Sequence, residues 1–137
     1  MINGQPTQGI KHASGLRQGD PLCPLLFILA IDPLQHIIET AAQRGILKPV
    51  LPKAANLRCS LYADDAALFI RPIAQDLDNL QQILHTFGEV TGLRTNVAKS
   101  EIYGINCEVE GTQLADSFTG KIGQFPCKYL GLPLHIG

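Results

Sequence analysis

Apolar and polar positions fall into blocks along this chain, and each block predicts an element. Residues 1–19 are polar, rich in Gly and Gln and short of helix formers, which predicts a short hairpin or loop. Asp20-Pro21 then opens a helix, with Asp as N-cap and Pro at the first helical position. The helix runs to about Arg44, and Gly45 closes it. Its first half, Leu22 to Leu34, is apolar on nearly every face, which predicts burial all round. Pro24 suits the first turn, whereas Pro33 should kink the helix. Residues 46–56 form a Pro-containing connection. Leu57 to Ile70 read as two short strands with a tight turn at Asp64-Asp65, and Pro72 ends the second strand. Residues 74–91 carry Leu77, Leu80, Ile83, Leu84, Phe87 and Val90 at helical spacing. Asp76, Asp78 and Gln81 fall outside that stripe, with Gly92 as the C′ residue. Residues 101–105 predict a strand, 106–121 a polar connection, and 122–134 a short hairpin with Gly131 near its bend.

Composition narrows this to one domain with a real core. The 137 residues are 45% hydrophobic and 17% charged, which excludes a disordered chain. A net charge of −1 is not the basic balance of a nucleic-acid binder. Any such contact must come from local geometry or from parts outside this chain. Cys23, Cys59, Cys107 and Cys127 show no metal-ligand spacing, so thiols in a reducing, intracellular compartment are expected. The four histidines share no spacing either. No signal peptide is evident, and the longest apolar stretch, Pro24 to Ile31, is too short to span a bilayer. Both ends read as cut from something larger.

The chemistry concentrates between the two short strands. Leu61-Tyr62-Ala63-Asp64-Asp65-Ala66-Ala67-Leu68-Phe69-Ile70 is apolar on both sides of an acid pair, which predicts buried strands. Adjacent carboxylates between buried strands repel each other and lose hydration. A hard divalent cation, Mg²⁺ or Mn²⁺, would remove that cost. The plain alternative is a solvated turn, where Asp is common. Tyr62 and the apolar flanks weigh against it. Around the helix start, Asp20-Pro21 is explained by capping alone, but Arg17-Gln18-Gly19 is not. Gly19 permits close backbone approach to a ligand, and the helix start presents free N–H groups.

Tyr62-Ala63-Asp64-Asp65 resembles the Y-x-D-D motif of reverse transcriptases. Gly15 to Phe27 (GLRQGDPLCPLLF) is similar to that family's R-Q-G-x-P-x-S-P segment, most closely in the non-LTR (LINE-type) retrotransposon and group II intron branch. Leu93 to Glu101 resembles the L-x-x-N-x-x-K-S-E segment, and Phe125 to Gly131 the Y-L-G hairpin that closes the palm. The ordered set spans about residues 3–134. The resemblance implies an RNA-directed DNA polymerase that extends a DNA primer with dNTPs on an RNA template by two-metal transfer. Asp64 and Asp65 would be metal ligands, and Tyr62 would pack beneath the hairpin near the primer, or else simply fill core. Arg17, Gln18, Gly19 and Pro21 would line the nucleotide and template pocket. Lys99 would protonate the leaving pyrophosphate, or else be a solvated lysine beside Glu101. Lys128, Tyr129 and Gly131 belong to the primer-gripping hairpin, with Leu130, Leu132 and Leu134 as packing.

Two departures qualify the likeness. Cys23 stands where the family usually has Ser, a poorer hydrogen-bond donor. The family also needs a third carboxylate from an upstream strand, and residues 1–19 contain no Asp or Glu. Fingers and thumb segments are absent too. The expected fold is therefore α+β, an incomplete palm over residues 1–137 with an antiparallel hairpin on helices 21–44 and 74–91. The isolated chain is expected to be inactive, with weak or no nucleic-acid binding and no membrane. A non-catalytic palm-like binding module and a small metal-dependent phosphohydrolase are the alternatives.

Overall fold

The computed structural model describes residues 19–50, 58–109 and 112–136. The expected loop at 1–18 and most of the 46–56 connection lie outside the described residues. The order of elements is α1 (Leu22–Gln43), β1 (Cys59–Tyr62), β2 (Asp65–Leu68), α2 (Ala74–Thr91), β3 (Glu101–Tyr103), α3 (Gln113–Ser117), β4 (Lys121–Gly123), β5 (Cys127–Tyr129) and β6 (Leu132–Leu134). The fold class is α+β, as expected, built from small two-stranded sheets and helices.

Local signals explain the helix limits. Asp20 caps α1 through Oδ1, which accepts the Leu22 N–H at 2.9 Å, and through its carbonyl, which accepts the Cys23 N–H at 3.0 Å. At the other end Gly45 takes φ +73°, and the Ile46 N–H donates to the Ala41 carbonyl at 2.9 Å. The helix is continuous through Pro33. Gly92, at φ +80°, closes α2 with its N–H on the Gly88 carbonyl.

Two hydrophobic cores flank α2. The first joins Leu34, Ile38 and Ala41 of α1 with Leu47, Cys59 of β1, and Leu80 and Phe87 of α2. Leu61, Leu68 and Ile70 pack against it, so the β1–β2 hairpin rests on both long helices. Fully burying each such side chain contributes about 1.5–3 kcal/mol. The second core is Leu77, Val109 and Leu114, with Ile102, Phe118 and Ile122 around it. It fastens a parallel pair, β3 on β4, in which Ile102 lies opposite Ile122. Parallel strands need a crossover, and residues 104–120 supply it with α3 inside.

Several expectations are corrected. Residues 106–121 are not merely a polar connection, since they carry α3, Val109 and Leu114. The first half of α1 is not buried all round: Leu22, Leu25, Leu26, Ile28 and Leu29 are 44–70% exposed. A helix apolar on every face needs neighbours on every side, and the described residues cover only its second half. The whole helix, unlike Pro24 to Ile31 alone, is long and apolar enough to cross a membrane by length and composition. Val90, placed in the stripe of α2, is exposed, whereas Asp76, placed outside it, is fully buried. Leu130, Leu132 and Leu134 are exposed rather than packed, because β5 and β6 form a two-stranded sheet with one open face.

Candidate metal-binding hairpin

The acid pair sits on a minimal hairpin. Cys59 pairs with Leu68, Ser60 with Ala67, Leu61 with Ala66, and Tyr62 with Asp65. The turn is thus Ala63-Asp64, one residue earlier than expected, and Asp65 is the first residue of β2. Two-residue hairpin turns require a positive φ at their first central position. Ala63 occupies it at φ +48°. Glycine is the comfortable residue there, and an L side chain costs about 1–2 kcal/mol in that region. Such local strain is a recurrent property of functional turns.

Burial divides the hairpin. Cys59 is buried, Ser60 and Leu61 are half-buried, and Tyr62 through Ala66 are exposed. The expectation that both strands are buried therefore holds only at their base. The reason is geometric: the helices support one end of a short ribbon, and the acid pair is at the other. Asp64 and Asp65 consequently project from an apolar base into solvent. Tyr62, expected either to pack beneath the hairpin or to fill core, is 63% exposed, so it fills no core.

The family-like segments separate into those that meet the hairpin and those that do not. Tyr129 meets it: its hydroxyl donates to Ser60 Oγ at 3.3 Å and so ties β5 to β1. Lys128 is exposed on the same strand. The bend between β5 and β6 is Leu130-Gly131, both with positive φ (+51° and +80°), as a tight hairpin of matching twist requires. Lys99 ends a short 3-10 turn, Val97–Lys99, whose start is capped by Asn96 Oδ1 accepting the Lys99 N–H at 3.3 Å. Its side chain is exposed, and Glu101 takes its hydrogen bond from the Tyr103 hydroxyl rather than from Lys99. That bond and the adjoining negative charge push the Tyr103 phenol up to about 12. Gly19 has φ +88° with open space around it, and Pro21 is exposed. Arg17 and Gln18 lie outside the described residues.

The donor set tests the fit of a metal. Asp64 and Asp65 are hard oxygen donors suited to Mg²⁺, which takes one or two carboxylates and fills the rest with water and phosphate oxygens. Among the described residues no three His, Cys, Asp or Glu side chains come together. The hairpin thus offers two hard oxygen donors, and no described residue adds a third.

Arg58 is buried beside the hairpin base with no sequence signal to mark it, and Asp76 is buried although its charge placed it on the outer face of α2. Asp76 falls at 76, 80, 83, 87, the spacing of Leu80, Ile83 and Phe87, so the apolar stripe itself could have exposed it.

A family model described as reverse transcriptase (RNA-dependent DNA polymerase) matches residues 1–134. An uncharacterized mitochondrial protein of Arabidopsis thaliana is 38% identical over 69 residues, covering 49% of this chain and 57% of that protein. A transposon TX1 uncharacterized 149 kDa protein of Xenopus laevis is 31% identical over 101 residues, covering 72% of this chain and 7% of that protein. This chain thus spans only part of the relatives it matches. No solved structure matches it.

Proposed function

The chain belongs to the reverse transcriptase (RNA-dependent DNA polymerase) family, and from that premise we propose that it is the central part of a non-LTR retrotransposon polymerase palm, inactive in DNA synthesis alone. The observation that carries this reading is the hairpin: Asp64 on a strained two-residue turn, Asp65 beside it, and Tyr129 bonded to its flank. An acid pair held at the tip of a braced ribbon can reach a substrate phosphate without burying its own charge.

In the parent enzyme the reaction joins a primer 3′-oxygen to the α-phosphorus of a dNTP and breaks that phosphorus–oxygen bond to pyrophosphate. Mg²⁺ or Mn²⁺, when bound, supplies positive charge at the reacting phosphates. Asp64 and Asp65 would hold it. Lys128 and Tyr129 would meet the primer, and Lys99 the leaving group. Arg17, Gln18, Gly19 and Pro21 would face the nucleotide and the RNA template. Two carboxylates on one hairpin leave a second ion without sufficient protein ligands, which supports inactivity of the chain alone. The near-neutral charge supports weak nucleic-acid binding. Because Leu34, Ile38 and Ala41 of α1 are already committed to the core, we read α1 as a packed polymerase helix rather than a membrane span.

Primer extension tests this directly. The chain alone should give no product. With an upstream segment carrying the third carboxylate supplied in trans, extension should appear and should vanish in Asp64→Asn. Extension by the isolated chain would overturn the proposed inactivity. Unchanged Mn²⁺ binding in Asp64→Asn and Asp65→Asn would remove the hairpin as the metal site.

A further inference from the structure

Arg58 and Asp76 are the buried charged side chains among the described residues, 6% and 0% exposed. They belong to none of the family-like segments. Both grip the backbone of one residue, Lys48, on its two sides. The Lys48 N–H donates to Asp76 Oδ2 at 2.9 Å, and Arg58 Nη2 donates to the Lys48 carbonyl at 2.7 Å. Arg58 Nη1 and Asp76 Oδ1 are also buried, with no hydrogen-bond partner among the described residues. A buried charge without partners is costly, and each of these two is held by a backbone group of Lys48, one on either side of that residue.

Their positions in the chain give the joint its meaning. Arg58 directly precedes β1, and its carbonyl accepts the Phe69 N–H at 2.9 Å, the last rung at the base of the hairpin. Asp76 lies in the first turn of α2, where the helix's free N–H groups favour a carboxylate. Asn79, one turn further, donates from Nδ2 to the Ile46 carbonyl at 2.8 Å. The hairpin base, the 46–48 segment and the start of α2 are therefore pinned at one point.

We propose that Arg58 and Asp76, joined through the backbone of Lys48, are positioning residues that set the angle of the Asp64–Asp65 hairpin on α2. This rests on the reading of that hairpin as the metal-binding edge. From Arg58 to Asp64 the strand extends roughly 20 Å, so a tilt of about 5° at the base shifts the carboxylates by about 1.7 Å. A misplacement of about 1 Å can cost a hundredfold in rate at a reacting centre. No third strand extends the β1–β2 ladder among the described residues, and beyond its packed base the bond from Tyr129 to Ser60 is what resists such a tilt.

The test compares the full chain with Arg58→Met, Asp76→Leu and the double variant. Each single change should lower the urea midpoint, and the double variant, which removes both buried charges but leaves the Lys48 N–H and carbonyl unpaired, should cost less than the sum of the two singles. Residual dipolar couplings of the Cys59 to Leu68 amides, referred to those of α2, then read the hairpin's orientation in the folded double variant at a temperature well below its midpoint. The expected result is a changed or averaged orientation with Mn²⁺ affinity near that of the wild type, because both carboxylates ride on the hairpin, and with extension in the trans-complemented assay lowered about a hundredfold. Couplings that fit the wild-type orientation overturn the proposal. So does a changed orientation with wild-type extension in the trans-complemented assay. If Asp64→Asn binds Mn²⁺ as the wild type does, the metal reading fails instead, and the couplings still decide whether the pair orients the hairpin.

Discussion

Single residues carry the strain and the unusual charges of this molecule. Ala63 holds a left-handed conformation that Gly would adopt freely. Ala63→Gly should raise stability by about 0.5–1 kcal/mol, strain relief offset in part by the flexibility Gly gives the unfolded chain. Urea denaturation at neutral pH reads that gain. Tyr103 offers a titration. Its phenol is held at about 12 chiefly by donating to Glu101, so Glu101→Gln should bring the midpoint down toward the ordinary 10.0. Absorbance at 295 nm in a Tyr62→Phe/Tyr129→Phe background follows it. Burial, and then the charge of Glu39, push the Cys59 thiol above its ordinary value of 9.0. A raised folded pKa means that stability is intact below that value and falls as pH rises past it, toward the folded pKa. Denaturation midpoints between pH 7 and 10.5 should show this decline, and Cys59→Ala should reduce it. At this scale the sequence was readable where a residue's chemistry is local. The Asp20 cap and the Gly45 and Gly92 stops follow from their neighbours alone. The burial of Asp76 does not, because its partner Lys48 is 28 residues away.

Elements show the same division between local and distant causes. The α2 helix runs over the predicted residues, 74–91, because its apolar stripe and closing glycine agree. The β1–β2 hairpin was legible to within one residue. A strand was expected at 101–105, where β3 lies, but its parallel pairing with β4 was not, since β4 stands at the start of the stretch expected to be a hairpin. Helix α1 was legible in extent but not in burial. Its first half is the more apolar and yet the more exposed, while the more polar second half supplies the buried Leu34, Ile38 and Ala41. Ile38→Ala should therefore cost about 2–5 kcal/mol by opening a cavity beneath the hairpin, while Leu29→Gln, at an exposed position, should stay within about 0.5 kcal/mol. Paired urea titrations check the contrast. Similar losses for both would mean that the first half of α1 is packed after all.

For the whole molecule, the exposed apolar half of α1 and the open face of β6 are the features that most affect behaviour in solution. Contiguous apolar surface of this kind drives association. Leu25→Gln/Leu29→Gln should lower self-association in sedimentation velocity without lowering the denaturation midpoint. Family membership was legible from four ordered segments, and the structure brings two of them together through Tyr129 and Ser60. The Arg17-Gln18 half of the nucleotide loop lies outside the described residues, so the spatial relation of that segment to the hairpin rests on the resemblance.

The separation of the two cores also sets an order of events during synthesis. Every residue of the first core, from Ile31 to Leu93, is made before the second can close, since that one waits for Ile122. A nascent chain emerging from the ribosome can thus seat the base of the acid-bearing hairpin on both long helices early. The parallel pair and then the Tyr129 strand dock onto an existing platform. A stop codon shortly after Leu93 would leave that platform standing, whereas one shortly before Phe87 would remove it.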